Sequence, residues 1–217
     1  MTRDKEGVRL LSYRLLPNHS GILLIGDYTS VRWLHTVVHD INERSPLIND
    51  REGLFLNLAY DVRKAYERQR EILQPPPDHE EMGIRYGVQA LWPVILLQQR
   101  MLRVSLAYLE HTAKTQAVVY ALEAVIEEAL KEDFAALGAE AVAHWQRHPA
   151  YRNVFDSLWS RTAIFCSWTK VQRRRHFLDL LSSFEPITKP STHTAFNVVR
   201  RIFCHLETFG MGQRRMA

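Results

Sequence analysis

The 217-residue sequence is poor in the residues that announce chemistry. It has two cysteines, Cys166 and Cys204, and no Cys-x-x-Cys pair. Both fall in apolar helical patterns, so they are expected to be reduced residues of the core. Nine glycines are spread thinly, and neither Gly-x-x-x-x-Gly-Lys nor Gly-x-Gly-x-x-Gly occurs, which excludes the familiar phosphate cradles. There is no Gly-x-Ser-x-Gly elbow and no His-Glu-x-x-His. No apolar run approaches the ~20 residues that span a bilayer. The opening residues Met-Thr-Arg-Asp-Lys-Glu-Gly lack the apolar stretch of a secretory signal. These absences predict a cytoplasmic chain with no membrane partner and no cofactor. Internal repeats and low-complexity segments are also missing.

What is present suits a folded protein. Hydrophobic residues make up 46% and charged residues 24% of the chain, enough apolar surface for a real core. The net charge of +4 hides an asymmetry. Residues 1–145 carry 16 Lys and Arg against 20 Asp and Glu, whereas residues 146–217 carry 12 against 4. A chain so divided points to an anionic partner or to one half docking on the other.

The organising stretch is Leu91 to His111. Pro93 suits the first turn of a helix, where its missing N–H would have had no partner. After it, Val94, Ile95, Leu96, Leu97, Met101, Leu102, Val104, Leu106, Ala107, Tyr108 and Leu109 cover more than one face, so the helix is expected to be packed on several sides. Arg100 and Arg103 lie three apart on one helical face. Either they reach solvent, or they form a buried ionic cluster with an acid, because an unpaired buried charge is very costly.

Around this helix the spacing predicts an α+β fold, predominantly α-helical, with a small N-terminal antiparallel sheet. Val8–Leu16 and Gly21–Ile25 read as a hairpin, and Ile84–Ala90 as a third strand. A helix capped by Asp27 or Ser30 carries Val31, Leu34, Val38 and Ile41 on one stripe. Further helices are expected over Arg51–Leu73, Lys114–Lys131, Phe134–Arg147, Tyr151–Phe184 with a break near 167–170, and Thr192–Phe209. Glu123, Glu127 and Glu128 fall on the polar side of their helix. Pro75-Pro76-Pro77 forms the clearest interruption. Residues 1–210 read as a single domain and 211–217 as a mobile tail.

Leu58-Ala59-Tyr60-Asp61-Val62-Arg63-Lys64-Ala65-Tyr66, followed by Tyr86-Gly87-Val88 and Leu91-Trp92-Pro93, resembles a bacterial family of roughly 200-residue proteins described only as a domain of unknown function. The resemblance covers most of residues 1–130 and implies no activity. Asp61 lies at the edge of the apolar face, where it can pair with Lys64 or turn inward to Arg100 or Arg103.

Two histidine pairs have metal-capable spacing. His35 and His39 are followed by Glu43, and Glu140 precedes His144 and His148, each four residues apart and so on one helical face. The bland alternatives are a polar rim for the first pair and a solvated helix end for the second. The basic run around Lys170, Arg173, Arg174 and Arg175, with Arg200, Arg201, Arg214 and Arg215, offers a positive surface for nucleic acid or another polyanion. Consecutive arginines fan about 200° round a helix, however, and do not form a stripe. Five Trp, nine Phe and eight Tyr supply anchors for a core or an interface. The leading expectation is therefore a structural or protein-interaction module that forms a homo-oligomer. Polyanion binding and a metal-dependent enzyme built on a histidine pair are the alternatives.

Overall fold

A computed structural model describes residues 10–75, 77, 80, 83–151 and 154–185. The expected helix 192–209, the tail 211–217, Cys204, Arg200, Arg201, Arg214 and Arg215 lie outside these residues.

The chain opens with β1 (Leu11–Leu15), a short 3-10 turn (Pro17–His19) and β2 (Gly21–Gly26). Pro17 presets the turn, and Asn18 and His19 follow at positive φ, 61° and 53°, a conformation that these residue types tolerate better than most. β2 is buried along its whole length and has a strand on each edge, with Ile22 and Leu24 in the apolar core. On one side lies β1, and on the other β4 (Arg85–Leu91), both antiparallel. Gly21 is required where β2 meets β4: an added Cβ would run into the Ala90 carbonyl oxygen.

The sheet has a fourth strand, β3 (Glu71–Leu73), giving the order β1-β2-β4-β3. The expected helix from Arg51 to Leu73 is thus too long at both ends. α2 spans only Asn57–Tyr66. Before it, the Arg51 guanidinium donates to the carbonyls of Asn42 and Ser45 and holds residues 51–56 in turns. After it, Arg68 at φ 62° ends the helix, and residues 71–73 pair with the open edge of β4. Edge pairing overrides the helical propensity of the charged run, since an unpaired ladder would be left otherwise.

α1 (Tyr28–Arg44) is capped by Asp27, whose carboxylate accepts from the Ser30 amide at 2.7 Å. β4 feeds directly into α3 (Trp92–Ser105), with Pro93 in its first turn. α3 is shorter than the expected 91–111. It tightens to a 3-10 turn at Leu106–Tyr108, and Leu109 is extended, which lets Thr112 cap α4 (Ala113–Phe134). A 3-10 turn leads to α5 (Gly138–Arg147), and α6 (Leu158–Ser167) and α7 (Lys170–Ser182) complete the described order. The expected break near 167–170 falls at Trp168-Thr169, where Thr169 and Gln172 form a capping box.

No residue of α3 is exposed. Side chains from the sheet and from each of the helices α1 to α7 merge with it into one apolar cluster. Cys166, expected in the core, is exposed instead, because the buried position of that turn is taken by Phe165. Among the described residues no helix is long and apolar enough to cross a membrane.

Candidate functional site

Only four residues of α3 are less than fully buried: Val94, Arg100, Arg103 and Val104. They mark two openings onto the central helix. Val94 and Gln98 line a groove of about 290 Å³. Arg100, Arg103 and Val104 line a cleft of about 470 Å³. At 100° per residue the two sets lie roughly 150° apart round the helix.

The groove runs between α2, β4, α3 and α6. Leu54, Leu58, Val88, Val94 and Leu158 give it an apolar floor and walls. Gln98 belongs to the wall, and its amide donates to the Leu54 carbonyl at 2.8 Å. Thr162 also lines it, with a buried hydroxyl that has no hydrogen-bond partner. On the rim stands Trp159, 75% exposed. Asp61 shares the rim and pairs with Arg70 at 2.7 Å, both side chains being part-exposed. The inward pairing of Asp61 with Arg100 or Arg103 is therefore not what forms. Arg70 sits at the start of the turn into β3 and reaches Asp61 first.

In the cleft, Arg103 donates from Nε to Glu123 of α4 at 3.0 Å and lies over the Tyr120 ring at 4.3 Å. Arg100 donates from Nε to the His148 carbonyl at 2.8 Å. The two expected fates of these arginines thus combine: each is anchored by protein, and each still faces an opening. Burial disfavours the Arg100 charge and lowers its pKa; Glu123 offsets part of this and Arg103 adds to it.

His148 is buried, contrary to the expectation of a solvated helix end. Its Nδ1 accepts from the Ala150 amide at 3.3 Å, so Nε2 carries the proton and donates to the Phe184 carbonyl at 2.9 Å. Desolvation lowers its pKa; the Phe184 hydrogen bond and Glu185 oppose the shift, and Arg100 and His144 add to it. His144 bonds Ser182 at 3.0 Å and faces Glu185 at 3.5 Å, while Glu140 is exposed. In the other pair the His35 and His39 rings lie 4.5 Å apart. Burial, then His39, lowers the His35 pKa, and Glu43 is exposed. Among the described residues no group of three or more His, Cys, Asp or Glu side chains is arranged to hold a metal ion.

The basic run of α7 is divided. Arg173 is spent on structure, donating to the carbonyls of Phe165, Cys166 and Asn18 and lying over the Phe165 ring. Lys170, Arg174 and Arg175 are exposed.

One cluster left no trace in the sequence. The carboxylate of Asp133 accepts from the Trp92 indole at 2.8 Å and meets His19 Nδ1 at 2.8 Å. His19 also stacks on Phe134, at 5.4 Å between centroids. No hydroxyl or thiol nucleophile stands against this histidine among the described contacts, as Ser20 donates to the Pro17 carbonyl. The cluster ties the hairpin turn to the end of α4.

Neither a curated protein nor a solved structure matches this chain. A family model matches residues 11–194, most of the chain and well beyond the first 130 residues. The chain belongs to the family described as Domain of unknown function (DUF6904).

Proposed function

We propose that the protein is an interaction module that pairs with a second copy of itself through the apolar groove. The observation that carries this reading is Trp159, 75% exposed on the rim of that groove. A tryptophan left in water costs apolar burial, and buried tryptophan anchors dominate protein interfaces. Knob and groove occupy the same patch, so a two-fold axis would seat each Trp159 in the groove of the other copy. Such a self-complementary patch is what an isologous dimer needs.

Sedimentation velocity over a concentration series tests it, with Trp159→Ser and the control Tyr108→Ser, which removes an exposed aromatic from the other opening. The wild type and Tyr108→Ser should sediment faster as concentration rises, and Trp159→Ser should stay monomeric. A wild type that remains monomeric throughout, or a Trp159→Ser variant that associates unchanged, contradicts the reading.

A further inference from the structure

We propose that the cleft over Arg100 and Arg103 binds a small organic oxyanion, a carboxylate or a phosphate monoester, with its anionic head on Arg100 and its body against Val104, Ala107 and Tyr108.

Three features converge on this. The first is the charge of the lining, two guanidinium groups against one carboxylate, Glu123. Glu127, further along α4, is held by Lys131 at 2.5 Å and by Gln146 at 3.2 Å. The second is the state of Arg100. Its Nε is fixed by the His148 carbonyl, yet its terminal amino groups have no acceptor among the described residues and are not sealed from the cleft. Those groups form a planar fork that matches the two oxygens of a carboxylate or phosphate. A main-chain carbonyl orients the fork without neutralising it, so the ordering cost of binding is already partly met. The third is shape. The cleft is broad and open to solvent, wider than an inorganic ion needs. Tyr108, 59% exposed, stands in its lining as a surface for a ligand ring. Gln146 adds an amide to the same lining.

Glu123 gives the proposal a signature that a nonspecific basic patch would lack. Its carboxylate neutralises Arg103 and repels an arriving anion, so Glu123→Gln should tighten binding while the loss of Arg100 weakens it.

The test is calorimetric titration of the full chain at low salt with benzoate, phenyl phosphate and inorganic phosphate, with neutral benzamide as control. Benzoate or phenyl phosphate should bind, benzamide should not, and affinity should fall as salt rises. Preference between the first two identifies the head group, and inorganic phosphate matching phenyl phosphate would remove the role given to Tyr108. Arg100→Gln should weaken binding about tenfold or more, as expected for a lost hydrogen bond to a charged group. Glu123→Gln should tighten it about tenfold. Circular dichroism checks the folding of each variant. Tyr108→Ala, at an exposed position, supplies an independent weakening if Arg100→Gln fails to fold. Absence of binding by either organic anion overturns the proposal, as does equal binding of benzamide or indifference to Glu123→Gln.

Discussion

The hairpin end of the fold and the end of α5 are each clasped by a histidine, and the two clasps differ in what receives the hydrogen bonds. At the hairpin, one carboxylate serves both His19 and the Trp92 indole. The cluster is closed, and its side chains are nearly buried, 11% exposed for His19 and 7% for Asp133. At the end of α5, the acceptors are main-chain carbonyls. Phe184 receives both His148 and the Tyr151 hydroxyl, and His148 receives Arg100. A carbonyl satisfies a donor but carries no net charge, so the Arg100 charge remains for the cleft. In these two clasps the Asp133 carboxylate closes its cluster, whereas the carbonyls of Phe184 and His148 position theirs and leave it open.

The most damaging way to break this comparison is Asp133→Ala. It orphans the indole N–H of Trp92, which is fully buried, and frees His19 at once. Chemical denaturation should show a loss of about 3 kcal/mol; a loss below ~1 kcal/mol would mean the clasp is incidental. The central helix offers a sharper internal contrast in two adjacent glutamines. Gln98 donates to Leu54, whereas Gln99 is fully buried and neither atom of its amide has a partner. Gln99→Met removes unpaired polar atoms at similar volume and should stabilise by about 1–2 kcal/mol. Gln98→Met should instead destabilise, by about 1 kcal/mol. Melting curves that move both variants the same way would contradict the assignment.

A smaller effect is expected from pH. The pKa of His148 in the fold is below its ordinary value of 6.5, so the unfolded chain takes up the proton first. Stability is intact above pH 6.5 and falls as pH drops from there toward the lowered native value. His35 contributes in the same direction. His148→Gln should flatten the dependence of Tm on pH in that window, and an unchanged slope would remove His148 from the account. The smallest effect belongs to Asp61→Asn. Its pair with Arg70 is part-exposed, so unfolding should shift by less than ~1 kcal/mol; a cost of several kcal/mol would revive a buried role.

Local signals were legible and long-range ones were not. Pro93 after an alternating strand announced that β4 runs into a helix, and Asp27 or Ser30 before the Val31–Ile41 stripe announced α1, which Asp27 caps. Helix ends failed where another element decided them. Residues 71–73 become a strand only because β4 offers an edge, and α3 gives up Leu109 to the path toward Thr112. The fully covered middle of α3 could be read from apolar residues on all sides, and so could the tension at Arg100 and Arg103. Their partners could not. Glu123 looked like one more solvated glutamate of α4, and His148 bonds the Phe184 carbonyl, far along the chain. Asp133 and His19, still further apart in sequence, had no local pattern at all. Trp159 sat in an apolar run that gave no hint of its exposure.

One covered helix would be reached from two separate sides, by the proposed second copy at the groove and by the proposed oxyanion at the cleft. Backbone amide NMR spectra recorded through a dilution series, and again with phenyl phosphate added at the lowest protein concentration, test both together. Two sets of shifted resonances with no common members are expected: residues around Leu54, Val94 and Trp159 on concentration, and residues around Arg100, Arg103 and Tyr108 on ligand. A single shared set, or shifts confined to other surfaces, would contradict that expectation.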